Sequence, residues 1–400
     1  MSGSGGGGGR LLGRHPSVEE VFEAASAETG LTDLGTLEEP ASVLRRSLRN
    51  LSDALASDSV SDDTRAAAWG QILEVLGWRM RMVEDRRKFP GIAAEVIRRP
   101  LFVIGYPRCG TTLLHCLLAE NPAARTPRVW EVHRPSPPPS LAGACDTRIA
   151  DGHRDVERFL NGLPGFIAQH PYFDLGGLTP EECEAMFVYD LRNSYPIQIP
   201  LVPRSPWAVA GDSLSRYELH RNLLQHLQYG GSADKRWLLK GTQHHFNLAA
   251  IRSVYPDAML VWTHRDPAQV FGSLIQVLGA LNGAASGSAE VRHAHAESVL
   301  GDYLPPLMDI LDDELVSDPW LCHVRYTDLV AAPVDVVASI YSHFGLPWAA
   351  DVESRVERWL ADPANKPDRY GKFTYSLEPY GITEAGIRER FGRYCDRFGL

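Results

Sequence analysis

The 400-residue sequence has few cysteines and no obvious pairs among them. Its six cysteines are scattered, with no Cys-x-x-Cys motif; they are Cys109, Cys116, Cys145, Cys183, Cys322 and Cys395. A chain of this length can build a core without disulfide staples, so scattered thiols fit a reducing compartment best. We therefore predict a cytoplasmic protein.

Positive charge and long apolar runs are also scarce. Lys and Arg number 40 against 50 Asp and Glu, and the resulting net charge of -10 argues against a general nucleic-acid or acidic-membrane surface. The uncharged stretch 270–289 holds too many polar and small residues to span a bilayer. Met1-Ser-Gly-Ser and the five glycines that follow lack the apolar core of a signal peptide. We expect a small-molecule partner, no nucleic acid and no membrane, while a homodimer stays open.

The chain is organised around the stretch Leu101–Leu114, which reads as strand, loop and helix. Its apolar run Leu101–Ile104 suits a buried parallel strand. Gly105 and Gly110 then form a tight turn whose backbone can approach a ligand closely, and a helix should begin near Thr111. This strand is predicted to be the first core strand of the fold.

The turn is first of all a candidate anion site. Unpaired N–H groups at a helix N-terminus, the hydroxyls of Thr111 and Thr112 and the Arg108 guanidinium can cradle a phosphate or sulfate group. The spacing matches the phosphate-binding P-loop, except that Thr111 stands where a nucleotide triphosphatase has lysine. A γ-phosphate needs that lysine and a magnesium ion, whereas a sulfuryl group carries less charge. For the loop we favour a sulfuryl-donor site, with a degenerate P-loop kinase or a plain structural glycine turn as alternatives. For the whole chain, the alternatives are a P-loop small-molecule kinase and a non-catalytic nucleotide-binding protein.

Three more strands are predicted downstream, and they set the fold class. Residues 236–245 and 258–267 read as strands joined by a helix over 248–255, and Leu321–Tyr326 reads as another strand. Strand, helix and strand in so short a span imply a parallel sheet with right-handed crossovers, whose carboxyl edge lines a ligand crevice. We predict an α/β protein with a central parallel sheet and helices on both faces.

The N-terminal part is predicted to be helical. Ser17-Val-Glu-Glu20 has capping-box spacing, and Gly30 is placed to end that helix. An apolar stripe predicts a longer helix from Ser61 to Lys88. We divide the chain into a flexible tail (1–15), a helical cap (16–98) and a core domain (99–400), with 130–235 as a loop and helical insertion. Within that insertion, Thr179-Pro-Glu-Glu182 is typical of a helix start.

Four ordered motifs resemble one family. Pro107-Arg-Cys-Gly-Thr-Thr-Leu113 resembles the 5′-phosphosulfate loop of sulfotransferases, which bind 3′-phosphoadenosine 5′-phosphosulfate (PAPS). Leu239-Lys-Gly-Thr-Gln-His244 is similar to the bacterial pattern Leu-Lys-Ser-Pro-x-His, with Gly241 and Thr242 as departures. The third motif is Thr263-His-Arg-Asp-Pro267 with Ser273, and the fourth is the segment 325–333. The tail 371–381 is also similar, so the resemblance to bacterial PAPS-dependent sulfotransferases, relatives of the protein-tyrosine and cytosolic enzymes, covers about residues 16–400.

The resemblance implies a P-loop-type three-layer fold and a set of donor-binding residues. Arg108 and Lys240 would stabilise the leaving group, Arg265 and Ser273 would grip the 3′-phosphate, and Tyr326 would lie near the adenine. Leu113 departs from the tryptophan of the cytosolic enzymes. The full implied PAPS-binding set is Arg108, Cys109, Gly110, Thr111, Thr112, Leu113, Arg265, Ser273, Tyr326 and Lys372.

Two residues are candidates for the general base that deprotonates the acceptor hydroxyl. Glu131 follows the loop helix at about the distance at which protein-tyrosine sulfotransferases place a glutamate, and a carboxylate facing cations stays ionised. His244 follows Lys240 near where the cytosolic enzymes place a histidine, and an ordinary imidazole pKa suits the task. We favour Glu131 as the base, with His244 as the alternative base or as a group that orients the acceptor. The structural alternatives are that Glu131 pairs with Arg128 or Arg134, and that His244 or His133 bonds a backbone carbonyl.

The histidine pairs do not predict a metal site. Neighbouring histidines such as His244 and His245 point to different faces, and no Cys or carboxylate completes a regular ligand set. We therefore expect no metal requirement. The acceptor is not named by the sequence, but the aromatic-rich segment 130–235 favours a phenol or lipophilic alcohol over a polyanionic sugar.

Overall fold

The computed structural model describes residues 15–35, 41–58, 60–163, 165–169, 171–192, 213–231, 234–281, 283–371 and 374–400. The strands are β1 (Leu101–Ile104), β2 (Ala124–Arg125), β3 (Arg236–Gly241), β4 (Met259–His264) and β5 (Leu321–Arg325). The helices of the described residues are α1 (Val18–Thr29), α2 (Ala41–Leu55), α3 (Asp62–Lys88), α4 (Gly91–Ala94), α5 (Thr111–Ala119), α6 (Val129–His133), α7 (Arg148–Gly162), α8 (Phe166–Gln169), α9 (Ser213–Gln228), α10 (Leu248–Val254), α11 (Pro267–Leu281), α12 (Ala289–Leu311), α13 (Tyr326–Ala331), α14 (Pro333–His343), α15 (Ala350–Ala361), α16 (Glu384–Arg390) and α17 (Gly392–Phe398).

The five strands form one parallel sheet in the order β2-β3-β1-β4-β5. β1 is central, and Val103 pairs with Lys240 on one side and with Val261 on the other. All of its residues are buried, as expected for a parallel strand covered on both faces. The predicted α/β class and four of the strands are confirmed. β2 was not predicted, because two residues in a proline- and arginine-rich segment carry no strand pattern.

The contacts of the chain divide it into two compact units, each described separately. The first comprises the described residues of 1–97, 129–152 and 185–233, and the second those of 98–128, 153–184 and 234–400. The whole parallel sheet belongs to the second unit. In the described part of the chain, no helix combines the length and apolarity needed to cross a bilayer.

The first unit is built around α3. α1 begins at Ser17 with the predicted capping box and ends at Gly30 in the left-handed conformation, while Ser61 caps α3. α1 packs on α2 and α3. The Arg79 side chain of α3 is buried and donates hydrogen bonds to the carbonyl oxygens of Leu34 and Tyr189, both at 2.9 Å. These ends of α1 and α3 confirm the prediction from local signals.

The two faces of the sheet in the second unit have different cores. Side chains alternate along β1, so Leu101 and Val103 pack into an aliphatic cluster with α5 and α14. The opposite face is aromatic. There Tyr106, just after β1, packs edge-on against Phe271 and Tyr303, and the ring of Phe398 stacks on His264 with centroids 3.7 Å apart. The loop after β1 is therefore fixed by packing on the aromatic side.

His245 is buried in this aromatic core. Its ring lies 4.8 Å from the Tyr106 ring, and neither ring nitrogen has a hydrogen-bond partner among the described residues. Burial lowers the pKa of His245 to about 3, so the folded protein keeps this imidazole neutral. The unfolded chain takes up a proton there below about pH 6.5, so this residue's contribution to stability is lost as the pH falls from about 6.5 towards 3.

Replacing His245 with Phe should weaken the acid sensitivity of the fold. Between pH 7.5 and pH 5 we expect the variant to lose about 2 kcal/mol less unfolding free energy than the wild type, because one proton-uptake site is gone from the unfolded chain. The measurement is the melting temperature across this pH range. Phe246→Leu is the control, since it perturbs neighbouring packing without removing a titrating group. Equal pH dependence in wild type and His245→Phe would contradict the assignment.

Candidate functional site

The loop between β1 and α5 is held by two close approaches that only glycine permits. A Cβ at Gly105 (φ 140°) would lie 2.7 Å from the carbonyl oxygen of Thr263, and one at Gly110 (φ 84°) would lie 2.6 Å from the Tyr326 ring. Arg108 itself adopts a positive φ of 72°, which is costly for a residue with a side chain. The loop is thus pressed between β4 and α13, directly before the N-terminus of α5.

Four of the predicted donor-binding residues meet at this loop. Arg108 Nε donates to Ser273 Oγ at 2.9 Å, and Arg265 Nη1 donates to the Arg108 carbonyl oxygen at 2.8 Å. The Arg265 guanidinium also lies 4.2 Å from the centre of the Tyr326 ring. Burial, and then the neighbouring positive charge of Arg265, lower the pKa of Arg108. Two guanidiniums this close favour a bound anion.

Lys240 reaches the same loop from the neighbouring strand β3. Its side chain is buried, at 2% exposed for the whole residue, and Nζ donates to Thr112 Oγ1 at 3.0 Å. A second hydrogen bond, part of an ion pair, goes to Glu182 Oε1 at 2.6 Å. The lysine that the loop itself lacks is therefore supplied by β3, and its ammonium group is paired with the Glu182 carboxylate.

The three residues Glu182, Cys183 and Glu184 cross the end of β3, and we call them the clamp segment. Glu182 contacts Lys240, as described above. The thiol of the next residue, Cys183, lies 3.0 Å from His244 Nε2. The Glu184 carboxylate accepts a hydrogen bond from the backbone N–H of Gln243. Burial, with the nearby Glu182 charge, raises the pKa of Glu184 to about 7. Each member of the clamp segment holds a different group at the strand end.

The clamp segment does not begin with the helix that was predicted from Thr179-Pro-Glu-Glu182. Residues 181 and 182 form no helix, and a 3-10 helix begins only at Cys183. The backbone N–H of Glu181 instead donates to the Pro127 carbonyl oxygen at 2.9 Å, and Pro180 forms an antiparallel bridge with Arg128. The prediction was wrong because pairing with a distant segment of the chain outweighed the local helix signal.

The two candidate bases lie in different units. His244, in the second unit, is fully buried, with its ring against Cys183 and edge-on to Phe102 at 5.3 Å. Glu131 is on α6 in the first unit and is 5% exposed. Within the second unit, the clamp segment contacts His244 through Cys183 and Lys240 through Glu182.

Of the remaining predicted donor-binding residues, Cys109 to Leu113 belong to the loop itself and to the start of α5. Thr111 is buried and Leu113 is partly buried against the aliphatic core. Burial raises the pKa of the Cys109 thiol to about 12, so it stays protonated. Lys372 lies outside the described residues, but Tyr375 nearby packs on Gly272, one residue before Ser273. Among the described residues, no group of three His, Cys, Asp or Glu side chains could hold a metal ion.

Sequence reasoning missed the clamp segment and Tyr172. Burial raises the pKa of Tyr172, which lies among Cys116, Tyr326 and Arg108. One signal was available, namely Gly241 in place of the serine of the bacterial pattern. A Cβ at that position would lie 2.5 Å from Cδ of Glu184, so the missing side chain makes room for the carboxylate.

Comparisons with known proteins identify the family and the fold of the chain. The sequence model of the sulfotransferase family matches residues 100–350. A protein of Mycobacterium bovis named omega-hydroxy-beta-dihydromenaquinone-9 sulfotransferase Stf3 is 25% identical over 342 residues, covering 81% of this chain and 80% of that protein. The crystal structure of sulfotransferase STF9 from Mycobacterium avium superposes with a TM-score of 0.78 at 25% identity, covering 96% of this chain and 97% of its own. Sulfotransferase STF1 from Mycobacterium tuberculosis gives a TM-score of 0.76 at 25% identity, with 96% and 100% covered.

Adding a methyl group at Gly241 should destabilise the protein through Glu184. We expect Gly241→Ala to cost about 1–3 kcal/mol of unfolding free energy because it overpacks the strand end. The double variant Gly241→Ala/Glu184→Ala should be less destabilised than the sum of the single changes, as measured by melting temperature. Gly301→Ala on α12 is the control, since a Cβ there meets nothing within 4 Å. Additive losses in the double variant would show that the two positions do not share this space.

Proposed function

The chain belongs to the sulfotransferase family, and from that premise we propose that it transfers the sulfuryl group of PAPS to the hydroxyl of a small lipophilic alcohol. The observation that supports this most is the convergence of Arg108, Arg265, Ser273 and Tyr326 on one glycine loop, with Lys240 entering from β3. PAPS, when bound, supplies an activated sulfuryl group on a good leaving group. Family membership also favours a sulfotransferase over a kinase or a non-catalytic nucleotide-binding protein.

The cationic loop fits the two anionic ends of such a donor. We assign the 5′-phosphosulfate to the loop backbone, Thr111, Thr112 and Arg108, because N–H groups at a helix N-terminus and a guanidinium bind such anions. We assign the 3′-phosphate to Arg265 and Ser273, and the adenine to the neighbourhood of Tyr326. Lys372 completes this set by resemblance alone.

Arg108 and Lys240 are assigned to the charge that develops as the sulfuryl group departs. That charge appears on the oxygen bridging sulfur and the 5′-phosphate, so cations fixed beside the loop stabilise the transition state more than the ground state. Both side chains are positioned by hydrogen bonds within the protein, Arg108 to Ser273 and Lys240 to Thr112. Such preorganisation lowers the cost of reorienting the cations during the reaction.

The acceptor proposal rests on the relatives and on an aromatic cluster. The name of the mycobacterial Stf3 relative describes an omega-hydroxylated menaquinone derivative as its acceptor. In this chain, within the segment 130–235, the rings of Phe159, Phe166 and Phe173 lie 5.2 to 6.3 Å from one another. Leu175 and Leu178 nearby are 55% and 40% exposed. An apolar surface of this kind suits a lipophilic alcohol better than a polyanionic sugar.

We further propose the compartment and the division of the chain. All six cysteines are free thiols, which supports a reducing, cytoplasmic environment. We assign the helical cap to 16–98, the sulfotransferase domain to 99–400 and the acceptor side to 130–235. A requirement for a metal ion is not part of the proposal, because the cations of the loop come from Arg108, Arg265 and Lys240.

Adenosine 3′,5′-bisphosphate, the expected product of the donor, should stabilise the protein without magnesium. A ligand at one hundred times its dissociation constant adds about 2.7 kcal/mol to the unfolding free energy, which gives a clear rise in melting temperature. The measurement compares this nucleotide, ATP with magnesium, and buffer alone. Stabilisation by ATP with magnesium only would point to a kinase, and no response to either nucleotide would contradict donor binding.

The general base can be identified by comparing Glu131→Gln, His244→Asn and the double variant at saturating PAPS. Loss of the base should lower kcat by about 10²- to 10⁴-fold and flatten the acidic limb of the pH–rate profile. The controls are Glu357→Gln and His343→Asn, which replace exposed residues of the same types. If neither single change lowers kcat tenfold, both assignments are wrong and positioning by Arg108 and Lys240 carries the reaction.

A further inference from the structure

Glu182 is a carboxylate of the second unit that contacts the proposed sulfuryl-transfer site directly, through Lys240. Its Oε1 lies 2.6 Å from Lys240 Nζ, and Nζ lies 3.0 Å from the Thr112 hydroxyl of the loop. We propose that Glu182 sets the charge specificity of the donor site, making it prefer a terminal sulfuryl group over a phosphoryl group on the same nucleotide. This inference rests on the proposed function, and it concerns discrimination between donors rather than catalysis itself.

The ion pair leaves Lys240 with limited positive charge to offer. A lysine ammonium has three N–H donors, and Thr112 and Glu182 occupy two of them. The third N–H can bind an oxygen atom of the nucleotide. The nucleotide that donates the sulfuryl group therefore meets a lysine whose charge is already largely balanced by Glu182. Lys240 links this carboxylate to the Thr112 hydroxyl of the loop.

That balance suits a sulfuryl group and opposes a phosphoryl group. A terminal sulfate carries one negative charge, whereas a terminal phosphate with a second pKa near 6 carries almost two at pH 8. The two groups are close in shape, so charge is what separates them. In a partly buried site, one extra negative charge near a fixed carboxylate is disfavoured far more than it would be in water.

Glu182 is also held where it cannot easily withdraw. On its N-terminal side, the Glu181 backbone N–H is bonded to Pro127 and Pro180 is bridged to Arg128. On its C-terminal side, Cys183 contacts His244 and Glu184 accepts from Gln243. The residues on both sides of Glu182 are thus held by contacts of their own, which limit the movement of the carboxylate as a charge filter requires.

The test compares two nucleotides of matched shape, PAPS and 3′-phosphoadenosine 5′-diphosphate. Their dissociation constants are measured by calorimetry at pH 8, without metal and without acceptor, for wild type, Glu182→Gln and Glu182→Asp. Wild type should bind PAPS at least tenfold more tightly than the diphosphate. Glu182→Gln keeps the length and a hydrogen-bond acceptor but removes the charge, so it should reduce that ratio about tenfold. Glu182→Asp keeps the charge and should retain most of the preference.

The controls separate this inference from a structural effect and from the proposed function. Glu357→Gln, at an exposed site on α15, should leave the ratio unchanged. Equal binding of both nucleotides by wild type, an unchanged ratio in Glu182→Gln, or an equal loss for both nucleotides in that variant overturns the inference alone. If wild type binds neither nucleotide nor adenosine 3′,5′-bisphosphate, the proposed function fails and the inference falls with it.

Discussion

Three buried or partly buried cations, Arg108, Lys240 and Arg265, are brought to one edge of the sheet, and the site depends on how the protein tolerates them. Burying a charge is costly unless polar groups or opposite charges satisfy it, and like charges that lie close together add repulsion. Here each cation has such a group: Arg108 donates to a serine hydroxyl, Arg265 to a backbone carbonyl, and Lys240 to a threonine and a carboxylate. The glycine turn makes the arrangement feasible, because its backbone can approach β4 and Tyr326 without a side chain in the way.

Elements with strong local signals could be predicted from the sequence. α1 and α3 have their caps at Ser17 and Ser61, and the main strands are apolar runs that end in polar residues. α2 was missed although its buried leucines, such as Leu44, Leu48 and Leu51, recur at helical spacing. β2 and the start of the clamp segment could not be predicted, because they exist only through pairing with distant residues. Local sequence patterns predict the elements whose backbone conformation follows intrinsic preference. Pairing with distant residues determines the other elements.

The same distinction applies to the site. Arg108, Lys240 and Arg265 were identified because they follow strands or sit in a short motif, where sequence order alone puts them at one edge. Glu182 contacts Lys240 of β3 across 58 residues of chain, and Glu184 contacts Gln243 just after β3 across 59. No periodicity in the sequence reports such contacts. The one trace in the sequence is Gly241. A smaller side chain than the motif prescribes can indicate that a side chain from a distant segment packs there, as Glu184 does against Gly241.

Placing the lysine on a neighbouring strand rather than in the loop allows the protein to balance its charge. A P-loop lysine in the loop itself points its charge at the phosphates and is not easily balanced by the protein. Here Thr111 occupies that position, and Lys240 reaches the loop from β3, where another segment of the chain can supply a counter-charge. The strength of the cation is then set by the clamp segment as well as by the loop. A site built in this way can be adapted to a less charged ligand without altering the glycine turn, since the adjustment lies in residues that the turn does not contain.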